Sequence, residues 1–362
     1  MRKVLIFSAP VGSGHVMTAE ALAQELRTRE NVEVVQADIF SLLPAWVGRS
    51  FLRLYLKVLT SCPWLYGLAY SSGDASSEGS FLWLRSWFNR LMLSRARSYL
   101  DALHPDIVLA THATPLGFMS LYKEEHPSLW LGAVVPDFNI HHWWVCRPVD
   151  AYFLAAAKLK ERFPKDMKTL ALGLPLRAAF SLAERTALRE QLGFEDGTRV
   201  VLFVGGGAGL LPMEELLETV DTLKLPKLQL VAVTGKNKQL QDKLTARYSG
   251  RKDITVYGFR DDLPQLLMAA DILVSKAGAV TAAEAMACRL AYIIYRPLPG
   301  QERGNADFLL QQGAAQVAAT AEEVARLLAS PAALQAAGAS EAELHKQAAK
   351  NICDYILGQN IA

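Results

Sequence analysis

The chain has 362 residues, 51% of them apolar and 20% charged, with a net charge of +2. That length fits about two domains and that composition excludes a disordered chain, while the near-neutral balance argues against nucleic acid as a partner. The four cysteines, Cys62, Cys146, Cys288 and Cys353, are scattered with no CxxC pair, which argues against a zinc site or disulfide framework and fits a reducing cytoplasm.

In chain order, KVLIFSA reads as a strand, Gly12-Ser13-Gly14-His15 as a glycine turn, and MTAEALAQELRTRE as a helix. The leading apolar run is short and is followed by glycines and a histidine, so it reads as a first strand, not a signal peptide. VEVVQADIF, PDIVLATHA, LWLGAVVPDF, DAYFLAA and TLALGLP follow as buried parallel strands with helices between them. A break falls at Gly173–Phe180, where Pro175 interrupts the chain. The pattern then restarts. RVVLFVGGGAG is strand and glycine turn, EELLETVDTL is helix, and LQLVAVTG, ITVYGF, ILVSKAG and LAYIIY are further strands. Residues 319–362 read as alanine-rich helix. Two βαβ series predict an α/β protein: two Rossmann-like domains facing across a cleft. The expected boundaries are 1–172, 173–335, and a helix over 336–362 packing back on the first domain. No apolar run is long enough to predict a transmembrane helix.

Charge is unevenly placed. Residues 40–100 hold seven Lys/Arg against two Asp/Glu, and four of the seven tryptophans. Within residues 46–66, Arg49, Arg53 and Lys57 recur every four residues between apolar positions, with Trp46 and Trp64 near the ends. That pattern describes a basic amphipathic helix, and FLWLRSWFNRLMLSRAR is a second such cluster. Such segments lie in a bilayer interface and attract anionic headgroups. A helix packed on the core with a solvated basic face gives the same pattern.

Four stretches have the residue types for chemistry. Gly12–His15 opens a helix after a strand, where glycines let backbone N–H groups approach a ligand; His15 is either a general base or a solvent histidine in a plain turn. Asp137–Trp144 and His112 follow strands, where α/β sites lie. His141 and His142 are adjacent and point apart, with no second ligand pair, which disfavours a metal site. Ser275–Ala285 places Gly278 before a helix expected to start near Thr281. Its amides suit a diphosphate and Glu284 suits a ribose; Thr281 and Glu284 also have the spacing of a capping box. Gln301, Glu302 and Asn305 follow the LAYIIY strand and suit a ring of sugar hydroxyls, or form a polar loop.

Eight motifs in order now give a resemblance: GSGH at 12–15, DFNIHHWW at 137–144, GLPLRAAF at 173–180, GGGAG at 205–209, TGKN at 234–237, GFRDDLP at 258–264, SKAGAVTAAEA at 275–285 and PGQERGNADFL at 299–309. Together they resemble the lipid-glycosylating branch of glycosyltransferase family 28, the monogalactosyldiacylglycerol synthases and processive diacylglycerol glucosyltransferases. Pro10, Pro136, Ala279 and Val280 depart from that pattern. The resemblance implies a GT-B fold and an inverting transfer of glucose or galactose from a UDP-sugar to diacylglycerol, without a metal or other cofactor. It implies His15 as base with Asp137 as the alternative catalytic group. It implies Gly207, Gly235, Phe259, Gly278, Ala279, Val280, Thr281 and Glu284 at the nucleotide, and Gln301, Glu302 and Asn305 at the hexose. Gly14, His112, His141, Trp144, Trp46, Arg49, Arg53 and Lys57 are expected at the acceptor or an anionic membrane surface. The expected location is the cytoplasm, at the inner face of the cell membrane. Three other readings share the pattern: a polyprenyl-lipid acceptor, a UDP-sugar 2-epimerase, and a non-enzymatic UDP-sugar sensor that binds a protein partner.

Overall fold

The computed structural model describes residues 1–10, 13–42, 80–177, 180, 185–207, 209–330, 336 and 338–359. The segment with Trp46, Arg49, Arg53 and Lys57, and Gly12 of the first turn, lie outside the described residues. The chain divides into two units: Met1–Ala178 with Pro299–Gln301 and Leu344–Ala362, and Ala179–Leu298 with Glu302–Glu343.

The first unit is a six-stranded, all-parallel sheet. Its strands are β1 (Arg2–Ser8), β2 (Val32–Asp38), β3 (Ile107–Ala110), β4 (Trp130–Val135), β5 (Ala151–Leu154) and β6 (Thr169–Ala171). Their order is β2-β1-β3-β4-β5-β6. Every residue of β3, β4 and β5 is buried, which accounts for continuous apolar runs in place of alternation. Helices α1 (Ser13–Arg27), α2 (Ser80–Leu103) and α3 (Ala113–Glu125) connect them. Chain order reverses between β1 and β3, so the loops after these two strands flank the topological switch point.

The second unit is another six-stranded parallel sheet: β7 (Arg199–Val204), β8 (Leu228–Val233), β9 (Ile254–Tyr257), β10 (Ile272–Ser275), β11 (Ala291–Tyr295) and β12 (Gln316–Ala318). The order β12-β11-β10-β7-β8-β9 is the doubly wound 3-2-1-4-5-6 arrangement counted from β7, with its switch point between β7 and β10. Its helices are α4 (Arg185–Gln191), α5 (Met213–Thr222), α6 (Lys238–Arg247), α7 (Leu263–Ala269), α8 (Ala279–Ala287), α9 (Gln301–Gln311) and α10 (Ala321–Ala329). A last helix, α11 (Ala339–Leu357), sends Ile352, Cys353 and Ile356 into the core of the first unit beside Ile6, Leu22 and Leu109.

Two sequence expectations need correction here. Residues 319–362 are not one helix: α10 ends at Ala329, capped at Ser330, and Pro331 follows. Proline disfavours helical backbone at the residue before it, which accounts for the break. Strand β12 was not expected, because three residues against β11 are too few to show a period. The second correction concerns the helix after β10. It starts at Ala279 with Gly278 as its N-cap, not near Thr281. Thr281 and Glu284 therefore both lie inside α8, and their capping-box spacing has no capping geometry. At α10 the Thr320 N-cap side chain accepts from Glu323 N–H, and Glu323 accepts from the N–H of Ala319, one residue before the cap.

Candidate active site

In the first unit, the switch point is occupied by two imidazoles. His15 is the third residue of α1 and His112 is the N-cap of α3. Their rings meet edge to face, with centroids 4.6 Å apart. His15 Nδ1 lies 2.6 Å from the Thr111 carbonyl oxygen. A carbonyl only accepts, so Nδ1 holds the proton and Nε2 keeps its lone pair. The Thr111 hydroxyl donates back to the His15 carbonyl at 3.0 Å, closing a two-bond latch between α1 and the end of β3. His112 has the opposite arrangement: its Nδ1 accepts from Thr114 N–H at 3.1 Å, so its own proton sits on Nε2.

Both rings are neutral at physiological pH. Burial pulls His15 down to about 4, against the raising effect of its bond to Thr111. Burial also holds His112 well below the usual histidine range, and the neighbouring His15 and His141 rings push the same way. His141 caps a short turn over His142–Trp144 and accepts from Trp143 N–H at 3.2 Å. His142 faces solvent. Trp144 is fully buried. Asp137 is buried, and the Gln301 side-chain amide donates to its carboxylate inside this unit. Gly14 lies in the first turn of α1 beside His15.

In the second unit, the loops after β7, β8, β9 and β10 gather at one sheet edge. The first-turn N–H groups of α8, from Ala279, Val280 and Thr281, have no acceptor within the helix, since the first such bond runs from Ala282 to Gly278. The loop that leads into them is pinned from behind. The Lys276 carbonyl accepts from Tyr292 OH at 2.5 Å, from Ser275 Oγ at 3.0 Å and from Gly278 N–H at 2.9 Å. The next carbonyl, of Ala277, accepts from Asn305 Nδ2 at 3.1 Å. Tyr292, Ser275 and Asn305 are all buried. Burial lowers the pKa of the Lys276 ammonium, and the Glu302 carboxylate partly offsets the effect.

The glycines of this edge sort into two kinds. Gly235 has φ +61°, and a Cβ there would lie 2.3 Å from the Gly206 carbonyl oxygen, so its backbone requires glycine. At Gly207 a Cβ would meet nothing within 4 Å, and at Gly278 only Thr281 Oγ1 at 3.7 Å. Those two positions have no steric need for glycine. Phe259 is 56% exposed at the end of β9, with Lys236 Nζ 5.5 Å above its ring. Glu284 is buried within α8. Among the described residues, no three His, Cys, Asp or Glu side chains are grouped to hold a metal ion.

Residues 15–171 match the family model for monogalactosyldiacylglycerol synthase, and residues 200–356 match that of the glycosyltransferase family 28 C-terminal domain. A processive diacylglycerol beta-glucosyltransferase of Bacillus cereus (strain B4264) is 30% identical over 99% of this chain and 94% of its own length. The chain belongs to glycosyltransferase family 28. A counterpart from Bacillus mycoides (strain KBAB4), with the same printed name, matches at 30% identity over the same shares. Among solved structures, MurG of Acinetobacter baumannii superposes with a TM-score of 0.66 at 18% identity, covering 99% of this chain and 100% of that one. A UDP-GlcNAc 2-epimerase of Neisseria meningitidis gives 0.58 at 14%, with the same coverage. These two likenesses concern the fold, which is GT-B.

Within this family 28 glycosyltransferase, the structure brings His15, His112 and His141 together in the first unit. Gly207, Gly235 and the Gly278–Thr281 turn lie at the edge of the second. The three expected hexose residues share α9 and make different bonds. Gln301 bonds to Asp137, Glu302 Oε2 accepts from Leu298 N–H at 2.9 Å, and Asn305 is buried as a loop support. Thr111, Ser275, Lys276 and Tyr292 were not singled out from the sequence as site residues. Lys276 had a legible signal, a cation at a strand end beside a glycine turn. Tyr292 had none: it lies inside an apolar strand, and only pairing with β10 opposite Leu273 brings it behind the loop.

Proposed function

We propose that this glycosyltransferase transfers a hexose from a UDP-hexose to the free hydroxyl of diacylglycerol at a membrane surface, inverting the configuration at the anomeric carbon. The observation that carries this reading is the His15 ring: neutral, fixed by Thr111 with Nε2 unprotonated, and placed at the switch point of a family 28 chain. In this reading Nε2 takes the proton of the acceptor hydroxyl. The hydroxyl oxygen forms a bond to the anomeric carbon, the bond from that carbon to the diphosphate oxygen breaks, and UDP departs with the electron pair. The N–H groups at the start of α8 and its positive dipole end stabilise the departing charge without a divalent ion. The open space at Gly207 and Gly278 admits the diphosphate, exposed Phe259 lies against uracil, and Glu284 accepts from the ribose hydroxyls.

Diacylglycerol stays in the bilayer, so the enzyme must come to it. On α2, Trp83, Trp87 and Leu91 recur every four residues and are 63%, 56% and 38% exposed, with Phe88 beside them and Arg90 and Arg95 also exposed. That face supports peripheral binding to an anionic cytoplasmic leaflet. No helix among the described residues is long and apolar enough to cross a membrane.

The test is incubation of the protein with UDP-glucose or UDP-galactose and liposomes containing diacylglycerol, with EDTA present, followed by mass spectrometry. A hexosyl-diacylglycerol product is expected with one donor. Turnover only of a polyprenyl lipid, epimerisation of a UDP-sugar without lipid, or UDP-sugar binding without any product each rejects this acceptor and reaction.

A further inference from the structure

The two imidazoles at the first switch point are held in opposite tautomers by bonds to different partners. The Thr111 carbonyl puts the His15 proton on Nδ1 and leaves Nε2 as an acceptor. The Thr114 amide occupies the His112 lone pair on Nδ1 and leaves Nε2–H as a donor. The rings are 4.6 Å apart at an interplanar angle of 79°, and both are partly accessible. Two adjacent rings, one with a bare nitrogen and the other with an N–H, suit a group that both donates and accepts a hydrogen bond. A neutral hydroxyl does both with a single oxygen. A carboxylate would set its charge against the His15 lone pair, and an ammonium would set its protons against the His112 N–H.

We infer that His112 is a second catalytic residue at the acceptor oxygen: its Nε2–H donates to a lone pair of the same hydroxyl whose proton His15 Nε2 removes. This rests on the transferase reading above and deepens it, because it names neutral alcohols as the class the pair selects. During transfer His112 keeps its proton. Its bond fixes the direction of the oxygen lone pair that attacks the anomeric carbon, while the hydroxyl proton passes to His15. His112 belongs to the unit that holds His15, so in this reading the effect belongs to the acceptor half of the reaction. His112 also has a structural task as N-cap of α3, and the test must separate the two.

His112→Asn makes that separation, since asparagine is among the best N-cap residues and keeps an acceptor for Thr114 N–H. The variant is expected to fold with the wild-type melting temperature and to bind UDP within twofold of wild type. Its kcat/KM for diacylglycerol should fall about 10- to 100-fold, the range for removing a hydrogen bond that leaves its partner unsatisfied. Unchanged kcat/KM overturns the inference. A second measurement does not need activity. In full-length protein labelled with 15N-histidine, long-range proton–nitrogen correlation should show His15 protonated on Nδ1 and His112 on Nε2. The same tautomer in both rings overturns the inference even if the enzyme is active. If wild type makes no glycolipid while the two tautomers are as stated, the transferase reading fails and the hydroxyl-selecting pair stands.

Discussion

Substituting Gly278 tests whether a glycine that the fold does not require serves a ligand. Its backbone, φ −71° and ψ 129°, is open to any residue, and an added Cβ would meet only Thr281 Oγ1 at 3.7 Å. Gly278→Ala is therefore expected to leave the fold intact. The lower entropy of the unfolded chain favours the variant by about 0.4–1 kcal/mol, and the poorer capping by alanine at this N-cap offsets it by a similar amount, so the melting temperature should stay within roughly 4 °C of wild type. The new methyl stands in front of the α8 amides, where the diphosphate is proposed to lie. Forcing a methyl into a fitted contact costs about 1–3 kcal/mol, so the UDP dissociation constant should rise about 5- to 150-fold. Gly235→Ala is the control. With φ +61° and a Cβ 2.3 Å from a carbonyl oxygen, it should lower the melting temperature of the apo protein. Calorimetry with UDP in EDTA, paired with thermal unfolding of each variant, reads both quantities. Wild-type UDP affinity in Gly278→Ala would refute the placement of the diphosphate on this turn.

The remaining expectations concern the base, the ribose and the membrane. His15→Ala should lower turnover about 10²- to 10⁴-fold with UDP affinity unchanged; near-normal turnover would move the base to Asp137. Because burial lowers the His15 ring from 6.5 to about 4, the acid limb of kcat/KM should fall near pH 4, and a limb near 6.5 would refute the assignment. The same shift favours the folded state fully above pH 6.5 and is lost as pH falls toward 4, because the unfolded chain takes up the proton first. Glu284→Gln should weaken UDP by about 1–3 kcal/mol and leave 2′,3′-dideoxy-UDP binding unaffected; equal losses for both ligands would mean that Glu284 acts through the helix and not on the ribose. Trp83→Ser with Trp87→Ser should release the protein from anionic liposomes in a sedimentation assay while UDP binding persists. Retention of this double variant on the liposomes would assign membrane contact elsewhere on the chain.

The fold was legible because parallel strands buried on both faces appear in the sequence as continuous apolar runs, and because a glycine turn follows the first strand of each series. The positions of His15, His112 and Gly278 were legible for the same reason, since each directly follows a strand. What the sequence could not show was the role of a residue whose partner comes from a distant strand. Nothing around Asn305 in the sequence shows the bond it makes from α9 to the distant Ala277 carbonyl. Glu284 reads as a capping partner until the helix is found to begin at Ala279. Gly235 and Gly278 look equivalent, yet only one has a carbonyl oxygen where its side chain would be.

The histidine pair shows how fold and chemistry join in this chain. The His15 ring is not selected by its own sequence neighbourhood, since its partner lies 96 residues away; His112 takes its tautomer from Thr114 N–H, two residues on. The choice is made by the parallel pairing of β1 with β3, which puts the Thr111 carbonyl beside His15 across the strand ends. The turn into α3 then gives His112 an amide to cap. Strand order thus determines which nitrogen is bare, and a bare nitrogen at neutral pH is what proton removal from an alcohol needs. Changing Thr111 would not imitate this control, because the carbonyl belongs to every residue type. A strand register shifted by one residue would remove it. The tautomer of His15 is in that sense a property of the sheet, and if His15 is the base as proposed, substitutions that loosen the β1–β3 edge should lower turnover before they lower UDP affinity.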